Sequence, residues 1–170
     1  MKIHNTIISD SLLIAPKVFN DSRGSIVNTY LKKNIKNLNF VEEIFTYSKI
    51  NVLRGFHGNF TTWKLVQCVF GSVFLVVFDL RKNSKSYLKK DTFYLDDIEK
   101  HQLLIPAGCV NAWLTLTESS IFQYRKSEYF KDDEVFLPYD HEKIHVKWPV
   151  DCPILSKKDS SKEFDNSLIA

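Results

Sequence analysis

Short apolar runs broken by turn residues recur along the chain, and no long stretch carries the three-to-four-residue apolar repeat of an amphipathic helix. Strands are predicted at Ile26–Tyr30, Glu43–Tyr47, Lys64–Phe70, Val73–Leu80, Thr92–Leu95, Gln102–Ile105, Ala112–Leu116 and Ile121–Tyr124. The run from Val73 to Phe78 is apolar at every position, as in a strand buried inside a sandwich, and Asp79 with Arg81 closes it at a polar end. Its length alone also suits a buried helix. The β-branched residues within it, a hairpin-like Gly71-Ser72 before it and Asn83-Ser84 after it favour the strand. Lys33–Leu38 is predicted to form a short helix. The Ser-, Lys- and Asp-rich end from Ser156 reads as a tail or surface arm.

Eight or more short strands joined by long and short connections predict an all-β fold, a double-sheet β-sandwich of the jelly-roll type shared by cupins. With 170 residues, one domain spanning 1–170 is expected. Composition narrows the function more than the fold. Lys and Arg number 23 against 20 Asp and Glu, and the two signs are interspersed, so no nucleic-acid footprint is present. The longest apolar stretch, Val69–Phe78, is about half the ~20 residues needed to span a bilayer, and the N-terminus lacks the apolar core of a secretion signal. No membrane association and a cytoplasmic location are expected. Cys68, Cys109 and Cys152 are odd in number and widely spaced, which predicts free thiols in place of disulfides or zinc ligands. Aromatics make up 14% of the chain and glycines number only five, so each glycine is expected where the backbone requires it.

The chemistry concentrates in three stretches. In Val52-Leu53-Arg54-Gly55-Phe56-His57-Gly58, Arg54 and His57 stand beside two of the five glycines. A lone histidine in such a turn is ordinarily a surface residue, but Lys64 follows seven positions later at the head of an apolar strand. A lysine entering a sandwich interior is costly without an anionic or carbonyl partner. The second stretch, Ile105-Pro106-Ala107-Gly108-Cys109-Val110-Asn111-Ala112-Trp113, places Asn111 in apolar surroundings, where an amide bonded to backbone would serve as well as a ligand contact. The third holds Gln123 and Tyr124, and a core tyrosine is the plain account of Tyr124. There is no His-x-His pair, and His4, His101, His141 and His145 are scattered, so neither a metal nor another cofactor is expected. A nucleophile elbow and a phosphate-cradling glycine loop are also missing.

Taken in order, several pieces together resemble one family. They are Phe19-Asn20-Asp21-Ser22-Arg23-Gly24, Val52-Leu53-Arg54-Gly55-Phe56-His57, Lys64-Leu65-Val66, Gly71-Ser72-Val73-Phe74, Val77-Phe78-Asp79-Leu80-Arg81, Ile105-Pro106-Ala107-Gly108, Tyr124, Trp148-Pro149 and Leu155-Ser156-Lys157-Lys158-Asp159. The chain resembles the dTDP-4-dehydrorhamnose 3,5-epimerases and related nucleotide-sugar epimerases over most of its length. The resemblance implies a homodimeric, metal-free jelly roll acting on a nucleotide-linked 4-keto sugar. A 4-keto group acidifies the hydrogens on C3 and C5, so epimerisation needs a base, a group to hold the enolate oxygen, and an acid on the opposite face. By the resemblance His57 is the base and Asp159 the carboxylate that orients it. Lys64 holds the enolate and Tyr124 delivers the proton. Arg54, with Arg23 contributed from the neighbouring subunit, holds the diphosphate.

Departures from the family pattern bear on substrate. Ile26-Val27-Asn28 replaces Phe-x-Glu, Glu42-Glu43-Ile44-Phe45-Thr46 replaces Gln-x-Asn-x-Ser, and Val110-Asn111-Ala112-Trp113 replaces Ala-His-Gly-Phe. The first two lie in the family's nucleotide pocket, with Asn28 as a substrate contact, so GDP stands beside dTDP as the expected carrier. The sugar is a hexose or a heptose, of a capsule, O-antigen or other surface glycan. The third leaves Asn111 able to donate a hydrogen bond to the sugar but not to carry a proton. Inversion at C3, or at C3 and C5, is the leading expectation. A 3,4-ketoisomerase using a similar base and a non-catalytic sugar-binding jelly roll are the alternatives. Product analysis separates the first, and binding without isotope exchange the second.

Overall fold

The computed structural model describes residues 1–35, 37–161, 164 and 166–169. Its strands are β1 (Lys2–Asn5), β2 (Leu12–Ala15), β3 (Val18–Asp21), β4 (Gly24–Val27), β5 (Glu42–Lys49), β6 (Leu53–Gly58), β7 (Lys64–Phe70), β8 (Ser72–Asp79), β9 (Lys90–Asp96), β10 (Gln102–Ile105), β11 (Cys109–Thr115), β12 (Ser119–Lys126) and β13 (Val135–Phe136). They build a six-stranded sheet in the order β1-β2-β10-β7-β12-β5 and a five-stranded sheet in the order β13-β6-β11-β8-β9. The β3-β4 hairpin stands apart as a sheet of its own. Two mainly antiparallel sheets enclosing one core give the expected jelly-roll sandwich.

The unbroken apolar run in β8 has a simple cause. Val73, Leu75 and Val77 point into the space between the sheets, where they meet Val66, Cys68, Leu103, Trp113 and Phe122. Phe74, Val76 and Phe78 point the other way, into a second core beneath Leu137, Ile144, Trp148 and Leu155. Both faces are covered, so both must be apolar. Burying each such side chain contributes about 1.5–3 kcal/mol. A third cluster, in which Leu65 and Leu104 meet Tyr30, Ile35, Leu38 and Phe40, seals part of the outer face of the six-stranded sheet.

Several sequence expectations are corrected. Gly71, with φ of 75°, does not close a hairpin. β7 and β8 lie in different sheets, and the chain crosses between them at this glycine. β8 pairs instead with β9 after the loop holding Asn83-Ser84, where buried Asp79 accepts hydrogen bonds from Arg81, Ser84 and Ser86. The helix expected over Lys33–Leu38 is a single 3₁₀ turn, Lys32–Asn34, and position 36 lies outside the described residues. Ile35 and Leu38 pack on the sheet instead of extending it. The end of the chain is more than a surface arm: Ile154 bridges to Val52, and residues 157–160 form a turn that buries Asp159. Strands β1, β2, β3, β6 and β13 are additional to those expected. β6 escapes a hydropathy reading because four of its six positions are Arg54, Gly55, His57 and Gly58. Cys68 and Cys109 are buried free thiols and Cys152 is an exposed one, as expected.

Candidate active site

A cavity of about 310 Å³ opens between the sheets, at the small end of the ~300–1,000 Å³ usual for ligand sites. The two-residue alternation of strands chooses its lining. β7 presents Lys64 and Val66, β12 presents Phe122, Tyr124 and Lys126, β11 presents Asn111 and Trp113, and β5 presents Ile44 and Thr46.

β6 breaks that alternation, and the break makes the site. Arg54 and His57 are three positions apart and would face opposite sides of a regular strand. Both line the cavity here. The register explains this: Arg54 lies opposite Trp113 and His57 opposite Asn111, so three steps on β6 match two on β11. One extra residue at this bulge returns His57 to the cavity face and sends Phe56 into the second core. The bulge requires Gly55, whose φ is 113° and whose position would bring a Cβ to 2.5 Å from the Asn111 carbonyl oxygen. A Gly55→Ala variant is therefore expected to lose at least ~2 kcal/mol of stability, from left-handed backbone and overpacking together. Urea unfolding measures this, and an unchanged midpoint would show that the bulge tolerates a side chain.

His57 is held at both ring nitrogens. Its Nε2 lies 2.6 Å from Asp159 Oδ1 and its Nδ1 lies 3.2 Å from Glu134 Oε2. Asp159 is 5% exposed, and its other carboxylate oxygen accepts a 2.8 Å bond from Ser156 Oγ. Burial alone would raise the Asp159 pKa, but the bonds from His57 and Ser156 outweigh it and hold the group below the ordinary value. For His57 burial alone would lower the pKa. The two carboxylates win, and the ring is raised above an ordinary histidine.

Lys64 enters from the opposite sheet. Its Nζ donates to the His57 carbonyl at 3.0 Å and to Asn111 Oδ1 at 2.9 Å, so the carbonyl partner that its burial demanded is present. Burial pushes its pKa down to about 8. Burial also raises Tyr124, partly offset by a hydrogen bond with Thr46, so the phenol keeps its proton at neutral pH. Arg54 lines the cavity with Nε 3.1 Å from Ser48 Oγ. Among the described residues, no three His, Cys, Asp or Glu side chains are grouped as a metal site, and no helix is long and apolar enough to cross a membrane.

Of the eight residues singled out from the sequence, His57, Lys64, Tyr124, Asp159, Arg54 and Asn111 share this cavity. Asn111 lies there as a tether for Lys64, its oxygen already engaged. Arg23 and Asn28 do not reach it. Arg23 sits on the β3-β4 hairpin, its side chain 88% exposed and paired with Asp21 at 2.7 Å, and Asn28 is exposed just beyond that hairpin. The sequence reading missed Glu134 and Lys126. Glu134 lies in a polar stretch with no pattern to mark it, whereas Lys126 follows Tyr124 by two positions and shares its face, a signal that was available.

The family model for dTDP-4-dehydrorhamnose 3,5-epimerase matches residues 5–165. The chain belongs to the dTDP-4-dehydrorhamnose 3,5-epimerase family. It is similar to the dTDP-4-dehydrorhamnose 3,5-epimerase of Salmonella typhimurium, at 35% identity over 95% of this chain and 93% of that one. The Escherichia coli enzyme of the same name is 34% identical over 94% and 91%. Among solved structures, the Bacillus anthracis epimerase with TDP and PPi bound is 30% identical, with a TM-score of 0.91 over 96% of this chain and 98% of that chain. The Legionella pneumophila epimerase in complex with dTDP-4-keto-L-rhamnose is 28% identical, with a TM-score of 0.91 over 98% and 96%. As a member of this epimerase family, the protein is a nucleotide-sugar epimerase of carbohydrate biosynthesis.

Proposed function

We propose that the protein inverts C3, or C3 and C5, of a dTDP-linked 4-keto sugar through an enolate. One observation carries this reading: a histidine paired with a buried carboxylate faces a half-buried lysine and a tyrosine from the opposite sheet across one cavity. His57 removes the proton beside the ketone, and the electron pair of that C–H bond moves toward the ketone oxygen. Asp159 orients the ring and stabilises the imidazolium. The Lys64 ammonium, fixed by Asn111 and the His57 carbonyl, stands ready for the enolate charge. Tyr124 donates its phenolic proton to the opposite face of the carbon, and proton return from His57 to the tyrosinate resets the pair. Arg54 and Lys126 supply positive charge for the diphosphate.

The nucleotides held by the Bacillus anthracis and Legionella pneumophila relatives favour thymidine over guanosine as the base. Arg23 and Asn28 serve the cavity of a second copy in a homodimer, a role supported by a hairpin that leaves Phe19 and Ile26 exposed beside Arg23. Incubation with dTDP- and GDP-linked 4-keto sugars in deuterated water tests the reaction, with label expected at C3 or C5 of the dTDP sugar. Absence of exchange with every candidate sinks it. Mixing Arg23→Ala and His57→Asn chains is expected to give more activity than either variant alone, because a mixed dimer keeps one intact site. No gain would remove the shared-site arrangement.

A further inference from the structure

The two carboxylates on His57 are built differently. Asp159 is buried and bonded to Ser156, so it stays where it is. The Glu134 side chain is 34% exposed and lines the cavity, and its remaining partner is Lys158 Nζ at 2.6 Å, itself 55% exposed. A neutral imidazole has one N–H and one lone pair, so it cannot donate to both carboxylates, whereas an imidazolium can. A base must present a free lone pair to the substrate carbon. With a carboxylate at each ring nitrogen, His57 has none to present.

We propose that Glu134 is a displaceable latch on the base: it holds His57 charged and occupied in the ligand-free enzyme, and gives up that nitrogen when the sugar enters. The inference rests on His57 being the base. Glu134 is thus a positioning residue, with the Lys158 ammonium as its alternative partner. Burial alone would raise the Glu134 pKa, but His57 and Lys158 pull it down to about 2, so the latch is an anion throughout the working pH range. The other groups around the ring are Lys64 and Tyr124 from the facing sheet, Arg54 on β6 and Lys126 on β12. Burial disfavours an imidazolium here, so the two carboxylates account for its retention.

The sign of the effect follows from the charge. Loss of an anion beside His57 lowers its pKa, so the neutral ring persists to lower pH and kcat/KM in acid rises. NMR titration of the imidazole signals in ligand-free protein, with His57→Asn identifying the His57 signal, reads this without substrate. Glu134→Gln is expected to lower the midpoint by roughly one pH unit. The acid limb of kcat/KM, which reports free enzyme, should shift equally, while that of kcat, which reports the complex, should stay. A midpoint unchanged in both Glu134→Gln and Glu134→Ala overturns the latch. Equal movement of both limbs overturns displacement, since Glu134 would then remain on the ring in the complex. The two readings fail separately: a wild-type protein without isotope exchange refutes the epimerase chemistry, while the ligand-free titration still decides whether Glu134 holds the ring charged.

Discussion

Replacing His57 with Asn is expected to lower kcat by at least ~10²–10⁴-fold, the loss typical of a removed general base, and to abolish solvent label entry at C3 and C5. Asn preserves a polar contact for Asp159, and the bulge that directs the side chain depends on Gly55, not on the ring, so the fold is expected to persist. Circular dichroism and retained nucleotide binding check that point. Wild-type exchange in the variant would move the base elsewhere in the cavity, with Glu134 the first group to examine. A binding module predicts the opposite pattern, in which both proteins bind and neither exchanges.

The second large effect is at Lys64. Lys64→Met keeps a long unbranched side chain in a half-buried position and removes the charge that meets the enolate. Loss of one preorganised stabiliser of developing charge costs about 10²–10³-fold in kcat. KM should change far less, because the charge it answers arises mainly in the transition state. The pH profile supplies a second readout. With Lys64 pushed down to about 8 by burial, the ammonium is present below that value and is lost above it. The wild-type rate should therefore fall on the alkaline side near pH 8. An unchanged kcat in Lys64→Met would assign the enolate oxygen to another donor.

How far the site was legible follows from these two residues. Lys64 announced itself, since a charge heading an apolar strand requires an explanation whatever the fold. His57 became meaningful through its ordered neighbours, and Asp159, 102 positions away, through family resemblance alone. Glu134 had neither kind of signal. It reaches His57 because the short strand β13 pairs with β6 at Phe136 and His57, a long-range pairing invisible to local pattern. Arg23 was found by motif, yet it stands on an exposed hairpin outside this chain's cavity, because a motif fixes the order of residues and not where the hairpin that carries them will lie.

Short apolar runs broken by turns determined an all-β fold, and the sparse glycines pointed to the stretch around His57. Alternation within a strand says which of its residues share a face. The tertiary structure decided what alternation cannot: that Gly71 crosses between sheets, that the end of the chain folds back beneath His57, and that one extra residue in β6 returns His57 to the cavity. The physical reason is range. Hydropathy records whether a position is buried, whereas register, bulges and the meeting of distant carboxylates depend on which strands pair, and that is settled only when the whole core closes.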